Sequence, residues 1–171
     1  MLTIIFAIIF FCLCIQAAFT DTLTFKIPNW MNLSFLVLFV PAAFAANIGW
    51  ETAGIHLLVA ATALIISFGL FSFNIFGGGD AKMIPGVLLW IGPAGAVHFL
   101  FGMAIAGGLL TIFLLSARQM VPVEMAPGFA RKIIGQKKDI PYGVAIAVGA
   151  FVAAGQSPLL IAFVQKFSGA S

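Results

Sequence analysis

Long apolar runs with almost no charge dictate most of what this chain can become. Residues 2–19, 31–48, 53–75, 94–117 and 141–165 are predominantly apolar. Eighteen helical residues reach about 27 Å, close to the ~30 Å of bilayer hydrocarbon. Lipid offers no hydrogen bonds, so a spanning backbone must pair with itself, as helices do. The expected fold is therefore all-α: a polytopic membrane bundle forming a single membrane-embedded domain over residues 1–171. A further apolar segment, 81–92, is short of a full crossing, at about 18 Å. It reads as a short or tilted fourth span, with a re-entrant half-helix as the alternative. About six membrane segments are expected in all.

Composition supports this class. Only 8% of residues are charged and 63% are hydrophobic; a soluble domain carries about 25% charge. The net charge of +3 is spread over loops, which suits lipid headgroups and membrane topology rather than nucleic acid. Cys12 and Cys14 point to different faces of a helix, and the sequence has no CxxC pair to build a zinc module. No Lys or Arg precedes Lys26, so the first run reads as a retained span and not a cleaved signal peptide.

The loop charges set a topology. Lys26, Lys82 and the basic stretch from Arg118 to Lys138 follow the first, third and fifth spans. The turns at 47–52 and 92–95 carry no Lys or Arg. The positive-inside rule then puts the three basic loops in the cytoplasm and the N-terminus outside, with Lys166 as the exception. Trp30 and Trp50 read as interface anchors, and Pro41 as a kink. Ala94, Gly102 and Ala106 favour close helix packing, and residues 155–158 interrupt the last span. Within 118–140, Phe129, Ile133 and Ile134 lie among basic residues, the pattern of an amphipathic segment on the membrane surface.

One stretch breaks the oily pattern: Phe76-Gly77-Gly78-Gly79-Asp80-Ala81-Lys82. An aspartate at the bilayer centre costs roughly 2.5–3.5 kcal/mol. Three glycines lower helix propensity by roughly 2–3 kcal/mol, so the backbone before Asp80 is expected to be loop-like. Irregular backbone at membrane depth survives only against protein or water. The stretch reads either as a turn with Asp80 capping a helix or as a wet, open site holding a carboxylate.

Topology bears on that choice. Asp21 ends the first span and Asp80 follows the third, so two crossings return both carboxylates to the cytoplasmic face. Asp139 lies on that side as well. Two carboxylates at close approach cannot both ionise cheaply and share one proton. The charged member then takes a proton from water while the neutral member polarises a carbonyl. That is what an aspartyl hydrolase requires.

Gly77-Gly78-Gly79-Asp80 matches the GxGD signature of intramembrane-type aspartyl proteases. With Ala81-Lys82 it resembles the prepilin peptidases, in particular their small form from Flp/Tad pilus systems. Asp21 ahead of Lys26-Ile27-Pro28-Asn29 resembles the first motif of that family. Asp139-Ile140-Pro141-Tyr142-Gly143 resembles its Pro-(Tyr/Phe)-Gly start of the final helix. The resemblance implies a peptidase of the bacterial inner membrane that removes the short basic leader of a type IV or Flp-type prepilin. Asp21 and Asp80 would be its catalytic pair, facing the cytoplasm, with no metal or organic cofactor. The larger members carry a tetracysteine zinc module and also N-methylate their product. This chain has no such module, and methyltransferase activity is not expected.

Among the supporting residues, Lys82 reads first as a topology-setting lysine, and otherwise as a group that holds substrate or tunes the pair. Gly77 and Gly79 shape the backbone, and Pro28 and Asn29 shape and cap the start of the second span. Tyr142 either contacts the site or sits in the aromatic belt. Asp139 reads as a helix cap, and Glu51 as a solvated residue on the opposite face. His56 and His98 lack a matching ligand cluster and read as packing or hydrogen-bonding residues. The competing class is a small ion-coupled transporter or channel subunit, with Asp80 in a broken-helix site.

Overall fold

The computed structural model describes residues 2–120, 135 and 140–161. Helix α1 spans Leu2–Thr24, α2 Asn29–Ala46, α3 Trp50–Ser72, α4 Asp80–Met120 and α5 Tyr142–Ala153. A 3-10 turn at Ala154–Gln156 follows, and helix resumes over 158–161. The described residues contain no strand. Helices α1 to α4 are each long and apolar enough to cross a membrane. The expected all-helical membrane bundle is what the chain forms, with small shifts of boundary. The first helix runs a turn further than expected, so Asp21 lies within it, and α2 passes through Pro41. The expected amphipathic segment lies almost wholly outside the described residues, as does Asp139.

The two segments expected at 81–92 and 94–117 are both present, as an inner and an outer arm of α4 parted by non-helical backbone at Gly92 (φ 71°, ψ −174°). The chain turns back on itself there. Asp80 and Tyr142 line one cavity, and Gly107 packs against the Tyr142 ring. A straight helix would hold residues 80 and 107 about 40 Å apart. At the other end, the Trp90 carbonyl accepts a hydrogen bond from Ser157 and Gly95 lies against the Ala153 carbonyl. The inner arm, 80–91, therefore descends from the cavity, and the outer arm returns antiparallel along α5. Only a glycine accommodates the turn: φ is positive, and a Cβ would run into the His56 ring.

The inner arm is the core of the bundle. Met83, Ile84, Val87, Leu88, Leu89, Trp90 and Ile91 are all buried, as befits a helix that is apolar all round. Trp90 stacks on Phe10 of α1, meets Phe39 of α2 edge-on, and donates its indole N–H to the Phe35 carbonyl at 2.8 Å. Outer faces stay apolar and exposed, as with Leu58, Ile65 and Phe68 of α3. Against α5, the close contacts fall on Gly95, Gly102 and Gly107. The expected Gly102 is among them, and Ala106 lines a cavity with Val148 and Val152 of α5.

Two prolines of α4 explain how α3 is fastened. Pro85 has no N–H for the carbonyl of Ala81, and Pro93 has none for that of Leu89. A side chain of α3 fills each gap. The Ser67 hydroxyl lies 2.8 Å from the Ala81 oxygen, and His56 Nδ1 lies 2.8 Å from the Leu89 oxygen. Ser67 Oγ is also 2.6 Å from the Ala63 oxygen. That oxygen already has its helical N–H donor, so the Ala81 carbonyl is the one in need.

Interhelical hydrogen bonds in membranes average only about 0.6 kcal/mol, but an orphaned buried carbonyl costs about 1–3 kcal/mol. We therefore expect Ser67→Ala to lower stability by about 1–2 kcal/mol. In a Pro85→Ala background the restored N–H supplies the Ala81 carbonyl, and most of that cost should vanish. Thermal unfolding of the four proteins of this cycle in detergent checks it; equal costs in both backgrounds would exclude the explanation.

Candidate active site

The triple glycine does not continue α3. Residues 73–79 leave the helix, with Asn74 in the left-handed region (φ 58°), and α4 starts at Asp80. The loop is held on both sides. Gly78 packs against the Phe71 ring, and Gly79 against Ile27. A Cβ on Gly79 would lie 3.1 Å from that of Ile27 and 3.2 Å from its backbone nitrogen. Close passage of the first loop thus needs glycine here, and it ties the Ile27-Pro28-Asn29 stretch to the start of α4.

Asp21 is buried, with 6% of its surface exposed. Its Oδ2 accepts a hydrogen bond from the Gly143 N–H at 2.8 Å, across 122 residues of sequence. Asp80 is half-buried and hydrogen-bonded by the backbone of Gly77. Each carboxylate is thus held from behind by a glycine backbone. Both carboxylates line a cavity of about 390 Å³, together with Phe25, Asn74, Gly77, Ile140 and Tyr142. They are close enough for the charge of Asp21 to act on Asp80. Chemically, the cavity presents two coupled carboxylates to water, beside a phenol and a left-handed asparagine.

The sequence-selected residues divide into two groups. Asp21, Asp80, Gly77 and Tyr142 line the cavity, and Gly143 holds Asp21. Pro141 is buried just ahead of α5. Lys26, Pro28, Asn29, Gly78, Gly79 and Lys82 are not part of its lining. Lys82 Nζ instead donates to Asn29 Oδ1 at 3.0 Å. Asn29 is therefore not a cap, as its side chain is turned to Lys82; Pro28 occupies the cap position without a side-chain bond. His56 is buried and hydrogen-bonded as expected, whereas His98 is exposed on the outer arm. No cluster of possible metal ligands occurs among the described residues. Phe25, Asn74 and Ile140 were not foreseen. A left-handed Phe25 (φ 54°) carries no sequence signature, while an asparagine just ahead of a glycine run is a weak turn signal.

A search of curated proteins found no match, and a search of solved structures found none. A comparison with family models did find one. The model of the type IV leader peptidase family matches residues 8–112, well over half of the chain, and takes in both Asp21 and Asp80. The chain, whose two carboxylates line one cavity, belongs to the type IV leader peptidase family.

Proposed function

We propose that the chain is an aspartyl prepilin peptidase of the bacterial inner membrane. It removes the short basic leader of a type IV or Flp-type prepilin at the cytoplasmic face, with Asp21 and Asp80 as the catalytic pair. The observation that carries this reading is the shared cavity: one buried and one half-buried carboxylate, each backed by a glycine backbone group. The lipid bilayer supplies the surroundings, and residues 1–171 act as one membrane-embedded unit.

Chemistry follows from one proton shared between the two groups. The ionised carboxylate accepts a proton from water as the hydroxyl oxygen bonds to the scissile carbonyl carbon. The protonated carboxyl gives its proton to the carbonyl oxygen, so a neutral gem-diol forms. Collapse of the diol breaks the C–N bond, and a proton passes to the departing amine. Water is consumed, and acid and amine are the products. Backbone donors behind each carboxylate fix the oxygens that do not take part, so little reorganisation is needed at the moment of reaction.

The ion-pathway reading has less support. Asp21 lies one turn from the end of α1 and Asp80 opens α4, whereas transporter sites favour the bilayer midplane.

Asp21→Asn and Asp80→Asn are each expected to abolish leader removal while the protein reaches the membrane in normal amount. Co-expression with a Flp-type prepilin and mass analysis of the product checks this; wild-type cleavage by either variant would remove that aspartate from the chemistry. Gly143→Ala tests the support behind Asp21. The added methyl would lie 2.9 Å from the Asp21 Cβ and 3.0 Å from Oδ2. Asp21 must shift to relieve these contacts, and a misplacement of about 1 Å costs about 10²-fold in rate. The loss is expected in kcat, with KM for the prepilin little changed.

A further inference from the structure

A second concave surface lies behind the aspartate cavity. Helices α2 and α3 scarcely touch each other, and each packs on α4. Between them runs an open groove of about 290 Å³, walled by Leu36 of α2 and by Leu57, Ala61 and Leu64 of α3. Its floor is the inner arm of α4, from Lys82 through Pro85 to Leu89. Those eight residues cover about 10 Å, or two helical turns. The groove is too small to enclose a helix, but it can receive the side chains of one helix face.

At its upper end the otherwise apolar groove is lined by two polar residues, Asn32 and Lys82. Both amide atoms of Asn32 are buried and have no hydrogen-bond partner among the described residues. Lys82 lines the same end and spends one donor on Asn29. A lipid tail could satisfy neither group. A peptide backbone could, because a side-chain amide offers one donor face and one acceptor face, matching a backbone C=O and N–H. Buried polar groups are nearly always paired, so an orphaned amide on a residue that lines the groove points to a peptide occupant that it meets by turning outward.

Distance links the groove to the aspartates. Lys82 is two residues beyond Asp80, on the opposite side of the inner arm. Crossing the top of one helix takes about 10 Å, which three extended residues cover. A substrate cut at the aspartates would thus pass over the start of α4 and run down between α2 and α3.

We infer that the α2–α3 groove seats the apolar helix of the prepilin, with the Asn32 amide pairing to the backbone of the short extended stretch between the cut and that helix. This rests on the peptidase reading above. It makes Asn32 a positioning residue and the groove walls determinants of substrate choice.

The test uses the full-length chain carrying Asp80→Asn, which should hold substrate uncut, in membranes with a Flp-type prepilin. A photoreactive residue at position 57 or 61 should crosslink to the prepilin helix, and one at position 101 or 109, on the outer arm, should not. In the otherwise wild-type chain, Asn32→Leu should raise KM about tenfold with kcat within about twofold, the size of one lost hydrogen-bonded pair. Crosslinks from 101 or 109 but not from 57 or 61, crosslinks from 57 and 61 to lipid alone, or no crosslink at all would each overturn the groove assignment. Cleavage of the same prepilin by the wild-type chain, followed in parallel, keeps the two ideas apart. If the wild type cuts while the crosslinks fail, the groove alone is wrong. If the wild type does not cut, the peptidase reading falls and takes the groove with it.

Discussion

Two backbone carbonyls hold this bundle's geometry, those of Ala81 and Leu89. Prolines four residues on deprive both of their helical donors. In a hydrocarbon setting water cannot step in, so the nearest helix must. Helix α3 does so with Ser67 near one end of the inner arm and His56 near the other. Without an apolar driving force between helices in lipid, such polar fastenings and close packing carry much of the association. They also fix the rotation of the inner arm, and hence the direction in which Asp80 faces.

The aspartates depend on that placement through a chain of close contacts. The inner arm is registered against α3 by its two fastenings and against α1 and α2 by Trp90. Its start is pressed on Ile27 through Gly79, where no side chain intervenes. The outer arm packs on α5, whose first turn carries the Gly143 N–H to Asp21. Each carboxylate is positioned by helices other than its own. The turn at Gly92 is what brings the two arms of α4 to opposite sides of this arrangement.

Most of the fold class was legible because apolar runs of membrane length have few alternatives. Parity returned Asp21 and Asp80 to one face, since counting crossings needs no knowledge of packing, but it did not state that they would line one cavity. The two arms of α4 were legible as separate segments, but the way they pack was not. Gly92-Pro93 marked a break, but a break does not state its angle, which depends on what packs against both arms. Ser67 and His56 were missed as partners of α4 for a related reason. The pairing of a proline with a donor three or more turns away lies in tertiary space, not in spacing. Asn29 illustrates the opposite error: the local pattern reads it as a cap, and its side chain instead accepts from Lys82 over 53 residues.

The hydrogen bond from Gly143 to Asp21 has a consequence for biogenesis. Asp21 emerges from the ribosome early, and its donor follows 122 residues later. Until α5 has been inserted and docked, the Asp21 carboxylate lacks the N–H that orients it. A half-made chain in the translocon therefore holds both acids with Asp21 not yet oriented. Docking of α5 is the event that completes the surroundings of Asp21.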